Sequence, residues 1–172
     1  MELTAELEAL GRVMAPAGFA RRVLASLERH AIVDSELGEL LVTFGPTGIT
    51  GVRLAEPGDR SRHQVEARLP EELIGKYDIS RLSPFQQSVL RKALEIPRGE
   101  VRPYSWIAAQ IGRPKAVRAV GTALARNPIP YFIPCHRVVR SNGVIGNYGM
   151  GGPEYKRRIL LAEGVDLAKM SA

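Results

Sequence analysis

The sequence predicts an α+β fold. An N-terminal domain over residues 1–80 combines a small antiparallel sheet with helices, and a C-terminal, mostly helical domain covers 81–172. Three observations carry the prediction. Residues 40–54 hold the two-residue apolar period of strands around a Gly-Pro turn. From Ser83 onward apolar residues recur at helical spacing, between recognisable start and stop signals. A proline-rich run from Asn127 to Val139 then interrupts the helices and carries the chain's single cysteine.

The composition sets limits. At 172 residues the chain can bury a core in one or two small domains. With 45% hydrophobic and 24% charged residues it is not a disordered polymer. A net charge of +6 and a pI near 9.8 favour a polyanionic partner. One cysteine excludes an internal disulfide, and His30, His63 and His136 show no zinc spacing, so no metal and no cofactor is expected. The acidic start shows no secretory signal, and no apolar run approaches the ~20 residues of a membrane span. A free nucleophilic thiol fits a cytoplasmic location. A monomer is expected.

Each element follows from local signals. Residues 1–30 predict two helices, with Leu3, Leu7, Leu10 and Met14 on one face and Phe19, Val23, Leu24 and Leu27 on the other helix. Leu40–Phe44 and Ile49–Leu54 predict two strands joined by Gly45-Pro46-Thr47-Gly48. Residues 63–69 alternate like a strand, 70–77 suit a short helix, and 78–83 read as a linker. Ser83-Pro84 starts a helix as N-cap and first-turn proline, and Pro97 with Gly99 ends it. Ser105 can cap a short helix to Ile111. A second runs from Pro114 to about Arg126, so the pair around Gly112-Arg113-Pro114 is helix-turn-helix-like. Asn142-Gly143 suggests a hairpin turn. A last helix runs from Pro153 or Glu154 to about Glu163, with Lys156, Arg157 and Arg158 exposed, Ile159, Leu160 and Leu161 packed, and Gly164 as its stop. The tail from Val165 is expected to fray.

Read at 100° per residue, the helix after Pro114 sorts into two sides. Val117, Val120 and Leu124 fall within about 60° of one another and face the core. Lys115, Arg118, Thr122 and Arg126 lie on the other side, with Ala119, Gly121 and Ala123 between. A cationic, small-residue face suits close approach to a nucleic-acid backbone.

The cysteine segment carries the chemistry. Pro128, Pro130 and Pro134 hold the approach extended and non-helical. A thiol attacks as its thiolate, and the adjacent His136 and Arg137 favour that form.

Pro134-Cys135-His136-Arg137-Val138 resembles the active-site signature of the O6-alkylguanine-DNA alkyltransferases, or methylated-DNA–protein-cysteine methyltransferases. The similarity runs from about Ser83 to Gly164. It takes in Ile96-Pro97-Arg98-Gly99-Glu100-Val101, Tyr104, Arg118-Ala119-Val120-Gly121, Asn127-Pro128 and Gly146-Asn147-Tyr148. The resemblance implies stoichiometric, irreversible transfer of an alkyl group to Cys135 from O6-alkylguanine, and from O4-alkylthymine, in double-stranded DNA. His136 would act through a bound water and Glu163 would orient it. Tyr104 would give a proton to the guanine ring, and Asn127 would order the turn before the cysteine. The helix carrying Lys115, Arg118, Ala119, Thr122, Leu124 and Arg126 would enter the minor groove, with Arg118 filling the place of a flipped nucleotide. The Val138 carbonyl would accept from the guanine amino group, and Tyr148 with Gly149 and Met150 would wall the alkyl pocket.

One departure stands out. From Tyr148 to Lys156 the chain is one residue longer than the common family loop, with Gly149-Met150 in place of a single serine or small residue. A backbone donor at Gly149 or Met150 is retained; a serine hydroxyl is not. Two other classes remain open. A helix-turn-helix protein with an incidental cysteine would bind DNA or lesions without covalent change. A thiol hydrolase would use the same Cys-His pair, although such dyads are usually distant in sequence.

Overall fold

In a computed structural model the chain is described over residues 28–63 and 65–170. The helices expected before residue 28 lie outside the described residues. The first described element is a strand that the sequence reading did not anticipate, β1 (Arg29–Ser35). It is followed by β2 (Gly38–Gly45) and β3 (Gly48–Leu54), the expected pair around the Gly-Pro turn. A helical turn α1 (Asp59–Arg62) precedes the two-residue β4 (Val65–Glu66), and Glu71–Leu73 forms a 3-10 turn. The sheet order is β3-β2-β1-β4. Three strands are antiparallel as expected, but β4 runs parallel to β1, at His30↔Val65 and Ala31↔Glu66. Leu40, Val42 and Phe44 project from one face of β2 and are fully buried.

The C-terminal half holds α2 (Pro84–Leu94), β5 (Arg102–Pro103), α3 (Tyr104–Gln110), α4 (Val117–Ala125), β6 (Val138–Val139) and α5 (Gly152–Ala162). Ser83 starts α2 through a capping box: its hydroxyl accepts Gln86 N at 3.3 Å, and the Gln86 side chain accepts Ser83 N at 3.4 Å. Val89, Leu90 and Ala93 form the buried stripe of α2. The start of α3 differs from expectation. Pro103 is the residue before the helix and Ser105 lies inside the first turn without capping it. Gly112, at φ 70°, turns the chain between α3 and α4. After α5, Gly164 at φ 86° and the Val165 N to Leu160 O bond of 2.9 Å close the helix. The tail does not fray at once: Val165 is buried and Leu167–Met170 form a 3-10 turn. One cluster of buried side chains continues from Ala31 and Phe44 through Leu90 and Val120 to Ile159.

The outer edge of β3 matters most for the site. Ile49 N donates to Lys76 O and Asp78 N to Ile49 O, each at 2.8 Å, while Val52 N donates to Pro128 O at 2.9 Å. The sheet edge thus satisfies its own donors and grips the segment leading to Cys135. Gly48 opens this edge at φ 152°, where an added Cβ would stand 2.7 Å from Lys76 O and 3.0 Å from Lys76 C. Gly48→Ala should therefore cost about 2–3 kcal/mol in urea unfolding, because backbone must shift on both sides. Gly45→Ala is the contrast: a Cβ there meets nothing within 4 Å. It should be neutral or stabilising by up to about 1 kcal/mol.

Candidate active site

Cys135, the candidate nucleophile, sits at the end of a turn that its own sequence builds. Pro134 has φ −79° and ψ 60°, and Cys135 N donates to Ile133 O at 2.7 Å. Those are the values of an inverse γ-turn, whose φ proline supplies without cost. Cys135–Arg137 then make one 3-10 turn. Asn127, just past α4, ties the two ends together. Its Nδ2 donates to Ile133 O at 3.0 Å and to Cys135 Sγ at 3.3 Å, and its Oδ1 accepts Ile129 N at 3.0 Å.

His136 and Glu163 meet across 27 residues. His136 is 1% exposed and its Nε2 lies 3.0 Å from Glu163 Oε1. Arg137 grips the same carboxylate with two bonds, Nε to Oε2 at 2.9 Å and Nη2 to Oε1 at 2.7 Å, and its Nη1 donates to Ile96 O at 2.7 Å. Burial works against the Glu163 charge, but the bonds from His136 and Arg137 hold the carboxyl down to about 2. An ionised carboxylate only accepts, so Nε2 must carry the imidazole proton. The lone pair is then on Nδ1, which has no protein partner. Burial, only partly offset by Glu163, also lowers the His136 pKa, so the ring is a neutral base.

The thiol's surroundings differ from those expected. Burial pushes its pKa up, opposed by the Asn127 hydrogen bond and by the charge of Lys156. Arg137 does not serve the sulfur: its guanidinium is spent on Glu163 and Ile96. Lys156 takes that part. It was expected to be exposed and is instead 1% exposed, with Nζ donating to Val138 O at 2.5 Å and lying 5.9 Å from the Tyr104 ring centre. Burial brings its pKa down to about 8. Lys156, Ile159, Leu160 and Glu163 fall at i, i+3, i+4 and i+7, so one buried helix face explains all four. That periodicity is legible in the sequence and was the missed signal. Leu161, off this face, is 53% exposed rather than packed.

Tyr104, Gly121, Leu124, Ala125, Cys135, Asn147, Tyr148 and Gly149 enclose a cavity of about 80 Å³ at the sulfur. Burial and the nearby thiol raise the Tyr104 pKa, which keeps the phenol a donor. A Cβ on Gly146 would stand 2.8 Å from the Tyr104 hydroxyl, so only glycine lets this phenol reach its position. Tyr148 is buried with its ring edge-to-face on His136 at 6.1 Å. In the longer loop Gly149 lines the cavity, while Met150 turns into the core. Beside the cavity, and sharing Tyr104 with it, runs an open groove of about 340 Å³ lined by Ser105, Val117, Arg140, Ser141 and Asn142.

On α4, Val120 and Leu124 are buried as expected, but Val117, at the helix start, is 36% exposed and faces the groove. Lys115, Arg118, Ala119, Thr122 and Arg126 are all exposed. Residues 101–153 contain no Asp or Glu but seven Lys and Arg. Two of these, Arg102 and Arg137, pair with acids outside the segment. None of the ion pairs among the described residues involves Arg113, Lys115, Arg118, Arg126 or Arg140. Arg140 is a second residue that sequence reasoning passed over; the signal was this acid-free run. Among the described residues no three His, Cys, Asp or Glu side chains are placed to hold a metal ion, and no helix is long and apolar enough to cross a membrane.

Comparison with known proteins places this arrangement. Residues 84–165 match the family model of the 6-O-methylguanine DNA methyltransferase DNA-binding domain. The methylated-DNA–protein-cysteine methyltransferase of Homo sapiens is 32% identical, over 82% of this chain and 83% of that protein. That of Methanosarcina acetivorans is 37% identical, over 78% of this chain and 97% of the relative. The chain belongs to the methylated-DNA–protein-cysteine methyltransferase family. Its α+β fold is the family's: the crystal structure of Mycobacterium tuberculosis OGT in complex with DNA superposes with a TM-score of 0.67 at 31% identity, covering 84% of this chain and 99% of that one. Every candidate catalytic residue of this methyltransferase-family chain, from Tyr104 to Glu163, falls within the matched segment.

The Glu163 pairing has a measurable consequence. A carboxyl held at about 2 when folded, against ~4.3 when unfolded, contributes about 3 kcal/mol that is present in full above about pH 4.3 and fades as the pH falls towards 2. Glu163→Gln should flatten the fall in urea stability between about pH 5 and pH 3 relative to wild type. The same variant should slow single-turnover transfer by one to a few orders of magnitude, about 2–4 kcal/mol in barrier, with DNA affinity nearly unchanged. A wild-type rate in Glu163→Gln would remove the carboxylate from the chemistry.

Proposed function

We propose that this chain repairs O6-alkylguanine, and O4-alkylthymine, in double-stranded DNA by moving the alkyl group once and irreversibly onto Cys135. The observation that carries the reading is the buried Cys135 beside a neutral His136, whose Nδ1 lone pair is free and whose Nε2–H is held by an ionised Glu163. That is a nucleophile, a base and an orienting acid in sequence. Because burial holds the thiol protonated in the free protein, the base is needed.

In the reaction Cys135 gives its proton towards His136 Nδ1, directly or through a water, and the sulfur attacks the alkyl carbon in line with the C–O bond. The S–C bond forms as the C–O bond breaks, and the electron pair leaves on the guanine. Tyr104 donates to the ring nitrogen that becomes basic, and Lys156 offsets the thiolate charge as it appears. A guanine amino group would share the Val138 carbonyl with Lys156 Nζ. The thioether that results is inert, so each chain acts once and needs no cofactor.

A cavity of about 80 Å³ is small beside the roughly 300–1,000 Å³ of sites that enclose small ligands. The cavity at the sulfur therefore takes the alkyl group and the edge of the base that bears it. Inside a duplex the base must first be flipped. The acid-free face of α4 lies along the minor groove with Arg118 filling the stack, Lys115 and Arg126 meet phosphates, and Arg140 holds the backbone in the groove beside Tyr104. A monomer suffices, since every group named comes from one chain.

The deciding experiment is intact-mass measurement after incubation with O6-methylguanine DNA. One added methyl per chain, on Cys135, is expected, and Cys135→Ser should bind the lesion and gain nothing. DNA binding with no mass change would return the chain to the class of lesion binders. Arg118→Ala should slow repair of a duplex lesion strongly, recover part of the loss on a mismatched or single-stranded lesion, and react almost normally with free O6-benzylguanine. Lys115→Ala should weaken binding to all duplexes alike and reduce the salt slope by about one.

A further inference from the structure

Three parts of the site converge on one residue far from it in sequence. Glu36 lies in the turn between β1 and β2, outside the matched segment. Its carboxylate accepts the Tyr131 hydroxyl and lies 3.7 Å from Arg98 Nη2, and its backbone carbonyl accepts Arg158 Nη2 at 2.8 Å. Tyr131 stands four residues before Cys135. Arg98 also donates to Ala162 O at 3.0 Å, the peptide that precedes Glu163. Arg158 lies on α5, the helix that brings Lys156 and Glu163 to the site.

Tyr131 has φ 77° and is the one non-glycine residue with positive φ among the described residues. A tyrosine has no local hydrogen bond to favour that conformation, as Asn or Asp would. Such a residue persists only where its surroundings over-determine it. Its ring packs edge-on against Phe132 at 5.8 Å, and Phe132 stacks on Tyr77 at 6.5 Å. Its hydroxyl is held by Glu36. The turn that presents Glu36 is itself stiff: Ser35 Oγ donates to Gly38 O at 2.6 Å and accepts Leu37 N at 3.1 Å, and Leu37 is buried.

We propose that Glu36 is a positioning residue for the reaction: through Tyr131 it fixes the turn that aims Cys135 Sγ at Asn127, and through Arg98 and Arg158 it fixes the end of α5 that carries Glu163. It touches neither thiol nor substrate. The inference rests on the alkyl-transfer reading for the reaction it serves, while the geometry of the turn does not depend on that reading.

The test compares the full chain with Glu36→Ala, Glu36→Gln, Tyr131→Phe and the Glu36→Ala/Tyr131→Phe double variant. Three quantities are measured: transfer from free O6-benzylguanine, alkylation of Cys135 by iodoacetamide across pH, and the thermal unfolding midpoint. Glu36→Ala and Tyr131→Phe should each slow both reactions about tenfold, the scale of a small misplacement made away from the chemistry. The double variant should be no slower than the slower single, because both break one interaction. Glu36→Gln keeps an acceptor oxygen for the Tyr131 hydroxyl and should return to within about threefold of wild type. A lower midpoint with wild-type rates in both single variants would make the contact structural and overturn the proposal, as would losses that multiply in the double variant. Should Glu36→Ala fail to fold, Tyr131→Phe, which removes one oxygen, decides on the same rates. If wild type does not react with O6-benzylguanine, the benzyl group is excluded and transfer from O6-methylguanine DNA becomes the readout; if that fails too, the alkyl-transfer reading fails, and the iodoacetamide rates alone still decide the role of Glu36.

Discussion

An ionised carboxylate inside protein has to be surrounded by donors, and Glu163 meets that requirement with three N–H groups from two adjacent residues. Much of the site follows from it. The bond to His136 Nε2 selects the tautomer and leaves the lone pair on Nδ1. The fork from Arg137 locks the 3-10 turn on which Cys135 stands, and the remaining Arg137 nitrogen reaches Ile96 O at the end of α2. One charge thus joins the cysteine turn, α2 and the end of α5. Removing the carboxylate would leave a buried imidazole free to rotate and a guanidinium half paired.

The two halves of the chain divide the work. The segment from Val101 to Pro153 supplies a surface of one sign, because no acid is present to neutralise it. That long-range field attracts a polyanion without reading it. The N-terminal sheet contributes rigidity instead. Through Val52 N on Pro128 O, and through Glu36 on Tyr131, it holds a strained, proline-rich loop. A nucleophile on a loop can be positioned this finely only when rigid elements grip the loop at both ends.

The thiol is a compromise between the same forces. Burial excludes water from the sulfur and raises its pKa, while Asn127 and Lys156 pull the other way. The balance favours the protonated thiol in the free protein. A permanently ionised sulfur would react readily with small electrophiles, and a buried thiol reacts more slowly with them.

Local signals determined what the sequence could say by itself. Ser83 caps its helix whatever lies beyond, Pro134 fixes φ ahead of the cysteine although its ψ of 60° makes a γ-turn rather than the extended approach expected, and the Gly-Pro turn separates β2 from β3, because each involves dihedral angles and bonds within a few residues. The Cys-His-Arg order, the cationic face of α4 and the blocks shared with the alkyltransferase family were legible in the same way. Tertiary structure alone decided the rest. β1 exists because of its partner in β2, and of the described residues in the strand expected over 63–69 only Val65–Glu66 pair, with β1 and in parallel. Val117 is exposed because its position at the helix start leaves it beside a groove. Arg137 turns to Glu163, 26 residues away, rather than to the adjacent thiol, and Lys156 is drawn inside to take its place beside the sulfur. These outcomes depend on which distant groups share a low-dielectric interior. Charge states and ion-pair choices are set by that interior as a whole, and no window of neighbouring residues contains it.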